Sequence, residues 1–158
     1  MTQILVISDS HGAVGSYQQV LEREAGRFDL LVHLGDGASD SYKLCGSVER
    51  LIQIKGNMDH DLYELPANTI GIAVFEAGGV RIAAVHGDRH GVKNHLAGLV
   101  QEAKLQKADL ILYGHTHTPA VEEINGVICF NPGALKNGEY GIIICGAGIV
   151  QSMRHLHL

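Results

Sequence analysis

Apolar and polar positions follow two rhythms along this chain. In the first half, the runs "QILVISD" (3–9), "FDLLVHLGD" (28–36) and "LIQIKGN" (51–57) are short, apolar and closed by turn residues. That is the pattern of buried strands. Between the first two, "GSYQQVLEREAG" (15–26) sets Tyr17, Val20, Leu21 and Ala25 at helical spacing and ends in Gly26, which predicts an amphipathic helix. "SDSYKLCGSVER" (39–50) predicts a short, weak helix interrupted by Gly46. Strands alternating with helices imply crossover connections and a largely parallel sheet.

The second half changes character. "TIGIAVFEAGGVRIAAVHGD" (69–88) predicts two strands joined at Gly78-Gly79. "VKNHLAGLVQEAKLQKA" (92–108) predicts a helix with Val92, Leu96, Leu99, Val100 and Leu105 on one side. "ADLILYGHT" (108–116) is a further buried strand, "AVEEINGVICFNPG" (120–133) carries the Asn125-Gly126 hairpin signal, and residues 139–158 predict a closing hairpin. There is no internal repeat, low-complexity segment or linker. The expectation is a single α/β domain over residues 1–158, with two packed sheets and outer helices.

Composition narrows the function classes. Of 158 residues, 46% are hydrophobic and 18% charged, which is globular, and a net charge of −5 argues against a basic surface for nucleic acid or membrane. Cys45, Cys129 and Cys145 are far apart and form no CxxC pair, so they predict buried thiols in a reducing compartment. The N-terminus lacks a basic region before its apolar run, and no apolar stretch reaches transmembrane length. A cytoplasmic location is expected, with no membrane partner. A homo-oligomer stays open on sequence alone. Histidine is the conspicuous residue, at 10 in the chain.

The polar residues that close the strands form a set. Asp9-Ser10-His11 follows "ILVI", Gly35-Asp36 follows "LLVHL", Gly56-Asn57 follows "LIQIK", His86-Gly87 follows "RIAAV", and Gly114-His115-Thr116-His117 follows "LILY". In open α/β sheets, ligands bind outside the carboxyl ends of the strands. Roughly parallel strands would bring Asp9, His11, Asp36, Asn57, His86, His115 and His117 to one edge. Each D-x-H or H-x-H pair could aim both groups at one point. Taken singly, these residues have plainer readings: Asp36 as a helix cap, Gly56-Asn57 as a turn, His86 as an ordinary strand-end histidine. Together they form an oxygen and nitrogen donor set without thiolate, suited to Mn²⁺, Fe, Zn²⁺, Ni²⁺ or Co²⁺. Seven such groups are too many for one catalytic ion and suit two, roughly 3.5–4 Å apart with a shared carboxylate.

This ordered succession, D-x-H (9–11), GD (35–36), GN (56–57), HG (86–87) and G-H-x-H (114–117), resembles the calcineurin-like metallophosphoesterase superfamily, in particular its small single-domain YfcE-like phosphodiesterases. The likeness extends to Asn131-Pro132-Gly133, similar to a family turn. It implies a four-layer α/β/β/α sandwich of two mixed sheets flanked by helices. It implies that Asp9, His11 and His117 hold one divalent metal, Asn57, His86 and His115 the other, with Asp36 bridging; manganese is the leading expectation.

The implied reaction is hydrolysis of a small phosphodiester or phosphomonoester, by in-line attack of a metal-bridging hydroxide. Two divalent ions outweigh the charges of Asp9, Asp36 and that hydroxide, so an acidic protein can still present a cationic pocket. Asp36, Asn57, Asp59 and His86 are the residues expected to act in catalysis, Asp59 by orienting a ligand histidine through its ring N–H. Many members have histidine after the GN asparagine, where this chain has Met58, which has no proton for the leaving group. Asp59, His60, Asp88 and His90 are the nearby alternatives. Arg89 could bind a substrate phosphate but reads first as a solvated loop arginine, His33 as core and His95 as surface. The alternative function is a non-enzymatic scaffold, since the retromer scaffold subunit is similar to this fold but has an impaired metal site. Here no ligand is missing.

Overall fold

A computed structural model describes residues 1–44, 48–60 and 63–158. The strands are β1 (Thr2–Ile7), β2 (Leu30–His33), β3 (Leu51–Gln53), β4 (Ile72–Ala77), β5 (Val80–Val85), β6 (Leu110–Leu112), β7 (Ala120–Ile124), β8 (Val127–Asn131), β9 (Glu139–Gly146) and β10 (Ile149–His157). The helices are α1 (Val14–Arg23), α2 (Ala38–Leu44) and α3 (Ala97–Leu105). One sheet has the order β10-β9-β1-β2-β3 and the other β4-β5-β6-β8-β7. Within the first, β1, β2 and β3 run parallel and the β9–β10 hairpin joins antiparallel. Within the second, β5, β6 and β8 run parallel, flanked by antiparallel β4 and β7.

Side-chain alternation along the strands builds the layers. Ile4 and Val6 of β1, with Val32 of β2, meet Ile82, Ala84, Leu112 and Phe130 from the other sheet in a fully buried seam. The opposite face of the first sheet, Leu5, Ile7 and Leu31, packs on Tyr17 and Val20 of α1. Ala83, Val85 and Ile111 pack outward on Leu99, Val100 and Ala103 of α3. The result is the expected four-layer α/β/β/α sandwich. Each fully buried Leu or Ile in it contributes about 1.5–3 kcal/mol through the area removed from water.

The turns follow the predicted chemistry. Asn125 and Gly126 both have positive φ (51° and 81°), as a tight hairpin requires, and Gly78-Gly79 joins β4 to β5. The helix over 92–108 is the main departure. Residues Asp88–His90 form a 3₁₀ turn, Gly91 is left-handed (φ 64°), and α3 begins only at Ala97. Val92 is buried from this turn, whereas Leu105 is 72% exposed and not part of the apolar stripe. In the 39–50 segment the helix covers Ala38–Leu44, while Cys45 and the interrupting Gly46 lie outside the described residues. Cys129 and Cys145 are buried free thiols. No described helix is long and apolar enough to cross a membrane.

Candidate metal centre

The loops that follow β1, β2, β3, β5 and β6 all leave the carboxyl ends of mutually parallel strands, and the two sheets carry them to the same end of the seam. Backbone bonds tie them together: Asp9 N–H donates to Gly35 O (2.9 Å), His11 N–H to Asp36 O (3.0 Å) and Gly114 N–H to His86 O (2.9 Å). Asp9, His11, Asp36, His115 and His117 are left-handed, with φ of 54°, 45°, 58°, 69° and 62°. They make up five of the eight such non-glycine residues among those described. This conformation is uncommon outside glycine and concentrates where function demands a side chain at a sharp turn.

Two ligand clusters result, each drawing on both sheets. In the first, Asp9 Oδ1 lies 3.1 Å from His117 Nε2 and 3.4 Å from His11 Nε2, and the two imidazole nitrogens are 3.2 Å apart. In the second, Asp36 Oδ2 lies 3.3 Å from His86 Nε2, which is 3.2 Å from His115 Nδ1. Asp36 Oδ2 is also 3.7 Å from His11 Nε2, so this one oxygen faces both clusters. Asn57 stands on the exposed turn after β3, lining with His86 the wall of an adjoining cavity of about 390 Å³.

The donor set fits divalent ions. Donors about 2.1 Å from a shared ion stand about 3–3.5 Å apart, which is the spacing found in both clusters. Asp9 Oδ1 is buried and has no hydrogen-bond partner, a costly state for a carboxylate oxygen without a cation. Its other oxygen is satisfied by the Ser8 hydroxyl (2.5 Å) and the His115 N–H (3.0 Å). His86 Nδ1 is 2.8 Å from the Leu34 carbonyl, an acceptor only, so Nδ1 carries the proton and leaves the Nε2 lone pair for the cluster.

Electrostatics are consistent with this geometry. Burial pushes the Asp36 carboxyl up, but the bonds from His86 and the Met58 N–H outweigh it and hold the pKa below normal. Burial pushes His86 down, but the Asp36 carboxylate more than compensates and raises it. His115 is lowered by burial and by its neighbours His86 and Lys93. A divalent ion would take the place of the protons these groups share.

Asp59 does something other than orient a ligand histidine. Its buried carboxylate accepts the N–H groups of Asp36 (2.8 Å), Gly37 (3.0 Å), Ala38 (3.0 Å) and Gly56 (2.8 Å). With four donors aimed at it, Asp59 is a clamp on the Gly35-Asp36 loop and not a proton source for the leaving group. The Met58 side chain is 60% exposed, while its N–H donates to Asp36 Oδ1 at 2.8 Å. Gly56 admits this approach, since a Cβ there would meet Asp36 Oδ1 at 2.1 Å.

Several residues have supporting roles that the sequence does not announce. His33, correctly expected in the core, is fully buried, and its Nδ1 accepts the Gly35 N–H (3.1 Å). Its Nε2–H therefore donates to Ser10 Oγ (3.0 Å), and the Ser10 hydroxyl donates to Asp40 Oδ2 (2.6 Å), which also takes the Gly12 N–H (2.9 Å). This network joins the two aspartate loops from behind. Asn131 of the NPG turn donates to Gly114 O (3.2 Å) and Thr116 Oγ1 (2.9 Å), steadying the His115–His117 loop. The i, i+2 ligand spacing was visible in sequence, whereas these long-range partners had no local signal. His95 is exposed, as expected.

The chain is 30% identical over 133 residues to the probable metallophosphoesterase YsnB of Bacillus subtilis, covering 84% of this chain and 75% of that protein. It is 27% identical over 155 residues to phosphodiesterase YfcE of Escherichia coli K12, covering 86% and 80%. A crystal structure of a predicted phosphoesterase from Streptococcus pneumoniae superposes with a TM-score of 0.79 at 26% identity, covering 99% of this chain and 89% of that one. The model of the calcineurin-like phosphoesterase superfamily domain matches residues 2–147, and the chain belongs to that superfamily.

Proposed function

We propose that this chain is a phosphodiesterase of the small YfcE-like kind, with Asp9, His11 and His117 holding one divalent ion, Asn57, His86 and His115 the other, and Asp36 between them. Both clusters are complete, and with the family membership they make the chain a metal-dependent phosphoesterase and not a degenerate scaffold. The observation that carries the reading is the position of Asp36 Oδ2, 3.3 Å from His86 Nε2 and 3.7 Å from His11 Nε2.

When bound, such ions supply Lewis acidity toward phosphate oxygens and lower the pKa of water. The chain's own residues do the rest. Asp36 stays anionic and fixed, one oxygen taken by the Met58 N–H and the other free to face both clusters. His86 presents Nε2 because Leu34 takes its other ring proton. Asn57 offers a neutral oxygen, which adds a ligand without cancelling positive charge where phosphate must bind. The Met58 side chain has no proton to give, which favours substrates with fairly acidic leaving groups.

Manganese is the proposed metal, and the oxygen and nitrogen donor set supports a metal of its class. The proposed substrate is small, in keeping with the adjoining cavity and the net charge of −5. Two buried free thiols favour a reducing compartment, and the proposed location is the cytoplasm. The test is hydrolysis of bis-p-nitrophenyl phosphate with Mn²⁺ by the wild-type protein, Asp36→Asn and His117→Ala. Substantial loss in both variants is expected; equal activity in all three proteins would refute the reading.

A further inference from the structure

The cavity beside the second cluster is lined by Asn57 and His86, so a substrate held at the centre has room to extend into it. At about 390 Å³ it is the size of a small-molecule site. Two cations stand on its wall, one from each sheet: Lys55 after β3, and Arg89 in the 3₁₀ turn after β5. Both are exposed, and the ion pairs of the described residues all involve histidine, so no described carboxylate holds either cation in an ion pair.

The acids of the same wall are differently placed. Glu102 is occupied by His90 Nε2 (3.2 Å) and by the Gln106 amide (3.2 Å). Asp88 also lines the wall, is exposed, and forms no ion pair among the described residues. Lys55 and Arg89 therefore stand on the cavity wall outside any ion pair of the described residues, available to a group beyond the reacting phosphorus. A centre built for one phosphate does not need them for that phosphate.

We propose that the substrate is a phosphodiester in which one alcohol carries a second phosphate, and that Lys55 and Arg89 bind that second phosphate in the cavity. The proposal rests on the phosphoesterase reading and adds the substrate class. The step itself is ordinary hydrolysis: water oxygen bonds to the diester phosphorus, the phosphorus–oxygen bond to the leaving alcohol breaks, and the water's proton passes to the alcohol or to solvent. The second phosphate is untouched.

The experiment compares two chromogenic esters, the p-nitrophenyl ester of thymidine 5′-phosphate with and without a 3′-phosphate, using Mn²⁺-loaded protein. Hydrogen bonds to charged groups contribute about 1.5–3 kcal/mol each, so wild type should favour the 3′-phosphorylated ester by at least about 10-fold in kcat/KM. In the doubly substituted Lys55→Ala/Arg89→Ala protein the ratio should fall toward one. A turnover-independent readout is calorimetric titration of chelator-treated protein with thymidine 3′,5′-bisphosphate, whose Kd should rise at least about 10-fold in the double variant. A ratio near one in wild type overturns this proposal and leaves the phosphoesterase reading standing. A ratio that survives the double substitution, in a variant whose melting temperature is unchanged, overturns the assignment to these two residues. No turnover of either ester or of bis-p-nitrophenyl phosphate overturns both.

Discussion

The Asp59 carboxylate accepts the backbone N–H of Asp36 at 2.8 Å, and so controls the metal-facing aspartate through the main chain and not through a side chain. Three more N–H groups converge on the same carboxylate. Asp59→Asn would turn one acceptor oxygen into a donor aimed at donors. Unsatisfied buried groups cost about 1–3 kcal/mol each, so a loss of about 3 kcal/mol or more in urea unfolding is expected, together with weaker Mn²⁺ binding by calorimetry. Unaltered Mn²⁺ affinity in a folded variant would show that the clamp does not position Asp36.

Metal loading should stabilise the fold. Ion at about 100 times its Kd adds about 2.7 kcal/mol, and a chain of this length gains about 2–4 °C in Tm per kcal/mol. The expected rise is therefore about 5–10 °C on adding Mn²⁺, reversed by a chelator. Asp9→Asn removes the charge on the orphaned oxygen and should abolish most of the rise. A full thermal response in that variant would contradict the role given to Asp9.

Burial pushes the His33 pKa down from 6.5 to about 4. The unfolded chain then takes up a proton before the folded one, so stability present above pH 6.5 is lost as pH falls toward 4. The contribution amounts to about 3 kcal/mol in all, at about 1.4 kcal/mol per pH unit. In chelator-treated protein, His33→Gln should show a shallower fall in unfolding free energy between pH 6.5 and 4 than wild type. Parallel pH profiles would mean that His33 is not held neutral in the fold.

Met58 has no side-chain proton to give to a leaving group. Its side chain is exposed beside Asn57, and its useful contact is made by the backbone, so Met58→His should fold normally. The slope of log kcat against leaving-group pKa should flatten, with poor leaving groups accelerated by about 10²-fold, the low end for a positioned general acid. An unchanged slope would remove position 58 from the question of proton supply.

The strand ends and the ligand spacing were legible because both are local. Alternation and turn chemistry mark where β1, β2, β5 and β6 stop, and i, i+2 pairs mark Asp9-His11 and His115-His117. The helical spacing of Val92, Leu96 and Leu99 runs past the real start of α3 at Ala97, since Gly91 is left-handed and the chain enters through a turn, and Leu105 keeps the spacing although it is 72% exposed. Spacing records where a side chain points along its own helix, not whether another layer reaches it. The roles of Asp59 and of His33–Ser10–Asp40 depend on partners about 20 to 30 residues away, as with Asp59–Asp36 at 23 and Ser10–Asp40 at 30. Such contacts exist only after the sheets assemble, and no local pattern announces them.

Because each ligand cluster takes residues from both sheets, hydrolytic competence is a late event in the life of the molecule. A nascent chain that has emerged only through Gly87 already holds Asp9, His11, Asp36, Asn57 and His86, yet lacks the histidines at 115 and 117 that complete either cluster. The central strand β1 also waits for β9, its antiparallel neighbour near the end of the chain. A truncated or half-docked copy therefore lacks an assembled pair of ligand clusters.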